Sequence, residues 1–503
     1  MADTKLFIDG EWVEPRSGET FSTFAPSTGE EIANVAKAGR EDAVLAIEAA
    51  RKAFDEGPWP RMSGAERAGY LRKAAEIITS RQNEISEVEA RDGGGTIKKA
   101  LFADVPGAAG AFNYFADCAE NVADVEERAA SPFPPAESIV RREPIGVCAG
   151  IIPWNFPFIM ASWKIGPAIA AGNAVVLKPA SFTSLSAVEM VKAVEEAGVP
   201  AGVVNFVTGP GGSVGEELAQ HPMVDKVAFT GSTEVGRRIM QLASSTVKKV
   251  TLELGGKSAN IVLDDADLDL AVSGVLWGTF FHNGQVCESG TRALIHSSVY
   301  DEFVGMLVER AGKMVIGDNL SFETDLGPLV SPSQADTAER YVKLGLDEGA
   351  KLVCGGGRPE GLAAGLDQTA YFQPTILEAD NSMRVAQEEI FGPVLCVMKY
   401  DSDDEAVKIA NDSIYGLGGG VWSSDSARAH SVAARMRTGT VWINDYHMIT
   451  PGQPFGGYKQ SGVGRELGEY GYNEYRQIKH VWSNTSGSKD QYLHFAALSA
   501  ALS

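Results

Sequence analysis

Cysteine is scarce in this sequence and never paired: Cys118, Cys148, Cys287, Cys354 and Cys396 are scattered through 503 residues with no CxxC spacing. That argues against a disulfide framework and against a zinc site; no metal is expected, and a reducing cytoplasm is the expected compartment. Positive charge is in deficit too, 44 Lys and Arg against 66 Asp and Glu, for a net charge of −22. Nucleic acid demands a basic face, so no such partner is expected. Long apolar runs are missing: nothing reaches the ~18 residues of a spanning helix, and no membrane partner is expected. The opening MADTKLFIDGEW lacks the basic-then-apolar pattern of a secretory signal. No G-x-G-x-x-G follows a strand pattern, so the usual dinucleotide fingerprint is absent.

What is present is globular: 44% hydrophobic and 22% charged residues, enough chain for about three domains at roughly 150 residues each. Residues 5–36 read as short strands and turns. Helices follow, one opened by a capping-box pattern at Ser63 and Glu66, and 82–122 is helical apart from a break at Gly93–Gly95. The stretch 123–142 turns acidic, then Pro-rich in SPFPPAE, then strand-like, an excursion from the main body. From 145 apolar strands alternate with helices: GVCAGIIPW, NAVVLKP, VVNFVTG, KVAFTG, KVTLELGG and SANIVL. A second series follows Cys287, in RALIH, YFQPTIL, PVLCVMKY, GGGVW and TVWIND, with a last strand expected in the Tyr475–Trp482 stretch. Short apolar strands between helices predict an α/β fold with a parallel, doubly wound sheet.

The stretch FFHNGQVCESGTR, 280–292, stands out. A helical pattern runs into it, Asn283-Gly284 stops the helix, and Cys287 follows on the exit loop. A thiol there is expected to be accessible. It needs activation, because the thiolate is the nucleophile and an ordinary thiol ionises only near ~8.5. The other four cysteines sit in strand or helix patterns or before a Gly triplet, as small buried hydrophobes do. Glu253, inside the buried-strand pattern TLELGGK, has the surroundings of a general base with a raised pKa. Asn155, between the prolines of PWNFP, could turn its amide toward a developing oxyanion. Gly231-Ser232, joining a strand to a helix, and Lys178, ending another strand, suit a phosphate-bearing ligand.

Taken together, PWNFP, GNAVVLKPA, FTGSTEVG, LELGGKSANIV, NGQVC, EEIFGPV and PFGGYKQSGVGRELG resemble the aldehyde dehydrogenase superfamily over almost the whole chain. The resemblance implies a modified Rossmann cofactor-binding domain (1–122 and 145–255), a catalytic α/β domain (256–455) and an oligomerisation segment (123–144 and 476–496) of a homodimer or homotetramer. It implies oxidation of a small aldehyde to the acid with NAD or NADP. Cys287 would be the nucleophile, Asn155 the oxyanion donor and Glu253 the base for thioester hydrolysis, with Lys164 and Glu466 relaying protons. Cofactor residues would be Ile151, Pro153, Trp154, Lys178, Ser181, Gly231, Ser232, Leu254, Glu389 and Phe391. The substrate would meet Phe156, Trp163, Val286, Glu288 and Phe455. Trp163 could equally be core, and His447 and Met448 in the entrance loop 445–453 name no substrate.

Two departures stand out. Ser181 occupies the position where many NAD-preferring members carry a glutamate that repels a 2′-phosphate, so NADP is expected to be accepted and even preferred. Glu288 follows the nucleophile directly; a carboxylate pointing at the sulfur would disfavour the thiolate, while one pointing away could favour a cationic substrate. A CoA-acylating relative would keep Cys287 but has no use for Glu253. A cysteine esterase would have no use for the nucleotide segments, and a non-catalytic protein none for the intact Cys287, Glu253 and Asn155.

Overall fold

The apolar runs that lack polar alternation become strands buried on both faces: Val147–Ile151, Ala174–Lys178, Val204–Phe206 and Lys226–Thr230 are each buried throughout. Such strands need helices on either side, which is the parallel-sheet solution. In the computed structural model, which describes residues 3–132 and 135–498, they form the middle of an eight-stranded sheet. From Val147–Ile151 the chain adds Ala174–Lys178 and Val204–Phe206 on one side, then returns to add Lys226–Thr230 and Lys249–Glu253 on the other. The pairings Ile151↔Lys178, Phe229↔Ile151 and Thr230↔Glu253 bring the carboxyl ends of four strands together at this reversal. A doubly wound sheet opens its ligand crevice there.

Alternate side chains of each strand feed two separate cores. Cys148, Val175, Leu177 and Phe206 pack against the helices Gly64–Ser80, Val105–Asn121, Pro157–Ala170 and Leu185–Ala197. Val147, Ala149, Val176 and Val227 face Arg40–Asp55 and Thr233–Ala243. Ser63 and Glu66 do form the reciprocal cap of Gly64–Ser80, Ser63 N donating to Glu66 Oε2 at 2.7 Å and Glu66 N to Ser63 Oγ at 3.2 Å. Gly462–Val463 joins the sheet edge antiparallel to Leu252 and Glu253, so a strand outside 1–255 completes the sheet that carries Glu253.

The second series builds a seven-stranded sheet, mostly parallel, around Arg292–His296 and Val394–Tyr400, and Ala259–Val262 of SANIVL joins this sheet rather than the first. Here YFQPTIL is strand only from Thr375, because Pro374 has no N–H to give to a ladder. TVWIND shrinks to Trp442–Ile443.

A three-stranded antiparallel sheet stands apart, Val125–Pro132 and Pro135–Pro144 with Arg476–Asn484 along the latter. Phe133 and Pro134 of the Pro-rich run lie outside the described residues. The terminal strand does not extend to 496. It ends at Asn484, whose Oδ1 accepts the N–H of Ser486 at 2.8 Å and turns the chain, and a short helix, Leu493–Ala497, follows. Among the described residues no helix is long and apolar enough to cross a membrane, and no group of three or more His, Cys, Asp or Glu is placed to hold a metal ion. All five cysteines are free thiols.

Candidate active site

The helix Leu268–Phe280 enters the nucleophile loop and stops earlier than Asn283. His282, Asn283 and Gly284 take left-handed φ values of 49°, 55° and 70° in succession. That conformation costs a non-glycine residue roughly 1–2 kcal/mol, so something must hold it. Asn283 Nδ2 does so, donating to the carbonyls of Gly327 at 2.7 Å and Pro328 at 2.8 Å. Asn155 reaches the same loop from the first domain, its Nδ2 donating to the Gln285 carbonyl at 2.8 Å. One amide hydrogen is thereby spent and the other is left for an oxyanion.

Cys287 is half-buried against the core of the first sheet, not freely accessible. It is also not activated at rest. Burial pushes its thiol well above the ordinary range, and the neighbouring Glu288 charge adds to this. The sequence left open which way Glu288 points. It points at the sulfur: Cys287 Sγ donates to Glu288 Oε2 at 3.1 Å. The other carboxylate oxygen accepts from His447 Nδ1 at 3.0 Å. Burial acts to raise the Glu288 carboxyl, but His447 and the thiol outweigh it and hold it below the usual carboxylate range.

Glu253 ends the strand Lys249–Glu253 and is buried, with Oε2 lacking any partner. Burial first, then the Glu466 charge, raises its carboxyl well above the ordinary value, with Lys164 opposing. Lys164 and Glu466 form a fully buried ion pair with each other. The glycines that follow Glu253 explain how its strand meets the nucleophile. A Cβ on Gly256 would lie 2.2 Å from the Cys287 carbonyl oxygen, and one on Gly456 would lie 2.7 Å from Glu253 Oε1. Only glycine lets these backbones approach so closely.

Residues with the chemistry to hold a dinucleotide line the carboxyl ends of the strands. Ile151 and Lys178 end neighbouring strands, and Pro153 and Trp154 continue from the first. The Lys178 ammonium is buried with a single partner, the Pro179 carbonyl at 2.9 Å, and burial lowers it to about 8. Two of its three protons are free for ribose hydroxyls or a phosphate. Ser181 Oγ donates to the Gly209 carbonyl at 3.3 Å, and no carboxylate stands at that position. Gly231 N donates to the Glu253 carbonyl at 3.0 Å, and Ser232 caps the helix Thr233–Ala243 through Val235 N at 3.3 Å. Leu254 packs beneath that helix against Gly236. Glu389 lies on the glycine pair: Gly256 N donates to its Oε1 at 3.0 Å, and a Cβ on Gly255 would come within 2.3 Å of its Oε2. Burial brings the Glu389 carboxyl up to about 7, against the pull of the Gly256 N–H. Phe391, at φ 57°, sets its ring edge-on to Trp154 with centroids 5.1 Å apart. A buried cation, a helix N-terminus and a carboxylate on a glycine floor fit a dinucleotide.

Trp163 and Phe455 are buried core residues whose rings meet at 5.6 Å, in the cluster on which Cys287 packs. Val286, next to Cys287 in sequence, is buried, and Phe156 lies half-buried against Phe281 at 6.2 Å and His282 at 5.3 Å. Sequence reasoning missed the aromatic shell that carries His447: Trp277, Phe281, Trp442 and Tyr446 all face its ring, with centroids 4.9–6.4 Å away. It also missed Gln285 as the acceptor for Asn155. Asn155 and Gln285 lie 130 residues apart, and Trp277 and Phe281 are likewise remote from His447 in the chain, so no local signal announces these contacts.

A profile described as the aldehyde dehydrogenase family matches residues 12–481. The chain is 49% identical to a betaine aldehyde dehydrogenase of Bacillus subtilis over 481 residues, covering 95% of this chain and 97% of that protein. Among solved structures it is similar to the betaine aldehyde dehydrogenase of Staphylococcus aureus in complex with NAD+, at 41% identity and a TM-score of 0.94 over 97% of this chain and 96% of that one. It is likewise similar to an aldehyde dehydrogenase from Bacillus cereus, at 42% identity and a TM-score of 0.93 over 96% and 97%. A thiol loop packed against the strand of a buried carboxylate at the carboxyl ends of a doubly wound sheet, within a family match spanning nearly the whole sequence, leads to one conclusion: the chain belongs to the aldehyde dehydrogenase family.

Proposed function

We propose that this aldehyde dehydrogenase oxidises a small aldehyde bearing a quaternary ammonium group to its acid. NAD is the acceptor and NADP is also accepted. The observation that carries the reaction is the approach of Gly256 to the Cys287 carbonyl, which joins the Glu253 strand to the nucleophile loop. Cys287 Sγ attacks the carbonyl carbon, and the resulting oxyanion meets the free N–H of Asn155 and the backbone N–H of Cys287. A nicotinamide bound here would supply the hydride acceptor for converting the thiohemiacetal to a thioester. Glu253, with an unpartnered oxygen and a raised pKa, takes a proton from the water that hydrolyses it. The Lys164–Glu466 pair passes that proton on. Lys178 would hold the adenosine ribose of the dinucleotide, Ser232 its pyrophosphate, and Glu389 and Phe391 its nicotinamide side.

Three features support the cationic substrate. The names of the relatives in Bacillus subtilis and Staphylococcus aureus specify betaine aldehyde. Four aromatic side chains gather beside the nucleophile around His447. The net charge of −22 favours arrival of a cation. Residues 1–122 and 145–255 would bind the cofactor, 256–455 carry the nucleophile, and 123–144 with 476–496 assemble a homodimer or homotetramer. The five free thiols support the cytoplasm as its compartment.

The test is a panel of aldehydes with NAD and with NADP, read by formation of the reduced nicotinamide. Betaine aldehyde should exceed its uncharged tert-butyl isostere in kcat/KM by up to about 30-fold, the worth of ~2 kcal/mol of cation–π attraction. Preference for the uncharged isostere overturns the substrate assignment. Cys287→Ala should give no product with any aldehyde, and undiminished turnover overturns the role of the cysteine.

A further inference from the structure

The nucleophile carries a second carboxylate, and the reaction sequence above gives it no task. Glu288 lies between two groups that both donate to it: Cys287 Sγ to Oε2 at 3.1 Å and His447 Nδ1 to Oε1 at 3.0 Å. Its side chain is 6% exposed and that of His447 4%. An ionised carboxylate only accepts, so the thiol keeps its proton and His447 carries its own on Nδ1. The carboxylate is fixed from other sides as well. Tyr446 Oη donates to the Glu288 carbonyl at 2.8 Å, and Glu288 Cβ would sit 3.1 Å from a Cβ added to Gly418. His447 is held in a left-handed conformation at φ 62°, which sets its ring against Glu288 within the aromatic shell.

We propose that Glu288 is the base that takes the Cys287 proton as the sulfur attacks, and that His447 positions it. The assignment rests on Cys287 being the nucleophile, and it divides the labour between two carboxylates. Glu253 makes no hydrogen bond to the sulfur and keeps an unpartnered oxygen for water; Glu288 is in contact with the sulfur, and each of its oxygens already accepts a hydrogen bond. In the acylation step the S–H bond breaks and an O–H bond forms on Glu288 Oε2. The sulfur electron pair makes the new C–S bond, and the carbonyl π pair moves to oxygen. After hydride transfer, water adds to the thioester and loses a proton to Glu253; the C–S bond then breaks and the departing sulfur takes back the proton stored on Glu288.

A low resting basicity of Glu288 does not prevent this. As the C–S bond forms, positive charge gathers on sulfur and its proton becomes strongly acidic, so a carboxylate already in hydrogen-bond contact suffices. The resting arrangement has a second consequence. A neutral thiol beside a carboxylate reacts slowly with anything other than a carbonyl held in the oxyanion site, because free thiolate is suppressed. The charged and titratable groups facing this pair are His447 and Tyr446 from the loop after Trp442–Ile443, Glu253 from its strand, and Glu389 across the glycine pair.

The test sets two rates against each other in the full-length enzyme. Glu288→Gln should slow the pre-steady-state burst of reduced nicotinamide by at least about 100-fold. The same variant should alkylate faster than wild type with iodoacetamide at neutral pH, since a charge that suppressed the thiolate is gone. In Glu288→Ala, added formate should restore part of the burst. His447→Phe should lower the burst and shift its pH profile, whereas His447→Gln, which can still donate, should recover most of it. A burst at the wild-type rate or faster in Glu288→Gln, or no rescue of a slowed Glu288→Ala by formate, overturns the role of Glu288. A wild-type burst and pH profile in His447→Phe overturns the positioning role. A burst surviving in Cys287→Ala would instead overturn the nucleophile assignment on which this one stands.

Discussion

Lys178 shows how burial sets the chemistry of one residue. Removed from water with a single carbonyl partner, its ammonium titrates at about 8, so its charge is present below that pH and fades above it. A cofactor with a 2′-phosphate depends on that charge more than one with a free hydroxyl, because Ser181 contributes none. The dissociation constant of NADP should therefore rise several-fold more than that of NAD between pH 7 and pH 9 in fluorescence titrations; parallel curves would remove Lys178 from the phosphate site. At this scale the sequence was informative about identity and silent about orientation. Cys287, Glu253 and Asn155 stood out from their neighbours, because a lone thiol after a helix break and a carboxylate inside an apolar strand are locally unusual. Which way Glu288 points was not legible, since it is settled by His447, 159 residues further on.

Elements matter here through their ends. The strand Lys249–Glu253 and the nucleophile loop approach so closely at Gly256 that a methyl group would fall 2.2 Å from the Cys287 carbonyl. That atom is backbone and cannot swing aside, so Gly256→Ala must displace the loop. A displacement of about 1 Å costs roughly 100-fold in rate. The variant should lose about that much kcat; an unaltered kcat would mean that the loop tolerates movement. The series of buried strands was readable because each is a short apolar run between helical patterns. Boundaries were less so: Pro374 shortens one strand, Asn484 ends another, and His282 turns left-handed before the Asn-Gly pair that looked like the break. Hydrogen bonds from Asn283 to a distant loop stabilise that early turn, and no propensity anticipates them.

For the whole molecule, the three-stranded sheet presents large apolar side chains to solvent among the described residues. On its edge strand Ile478 is 72% and Trp482 47% exposed, and alternate residues of a strand share a face. The proposed homodimer or homotetramer would place these side chains in its assembly contact. Ile478→Asp should shift sedimentation toward smaller species, and an unchanged sedimentation coefficient would place the contact elsewhere. The larger consequence of the architecture is that Glu253 comes from the eight-stranded sheet and Cys287 from a loop leading into the seven-stranded one, so the proposed reaction would draw on both sheets. The most direct measurement of that joint site is rapid mixing of Glu253→Gln with aldehyde and NAD. One equivalent of reduced nicotinamide per active site should form quickly, followed by a near-stop as the Cys287 thioester accumulates. Absence of the burst, or a burst followed by turnover at the wild-type rate, would contradict the assignment of thioester hydrolysis to Glu253.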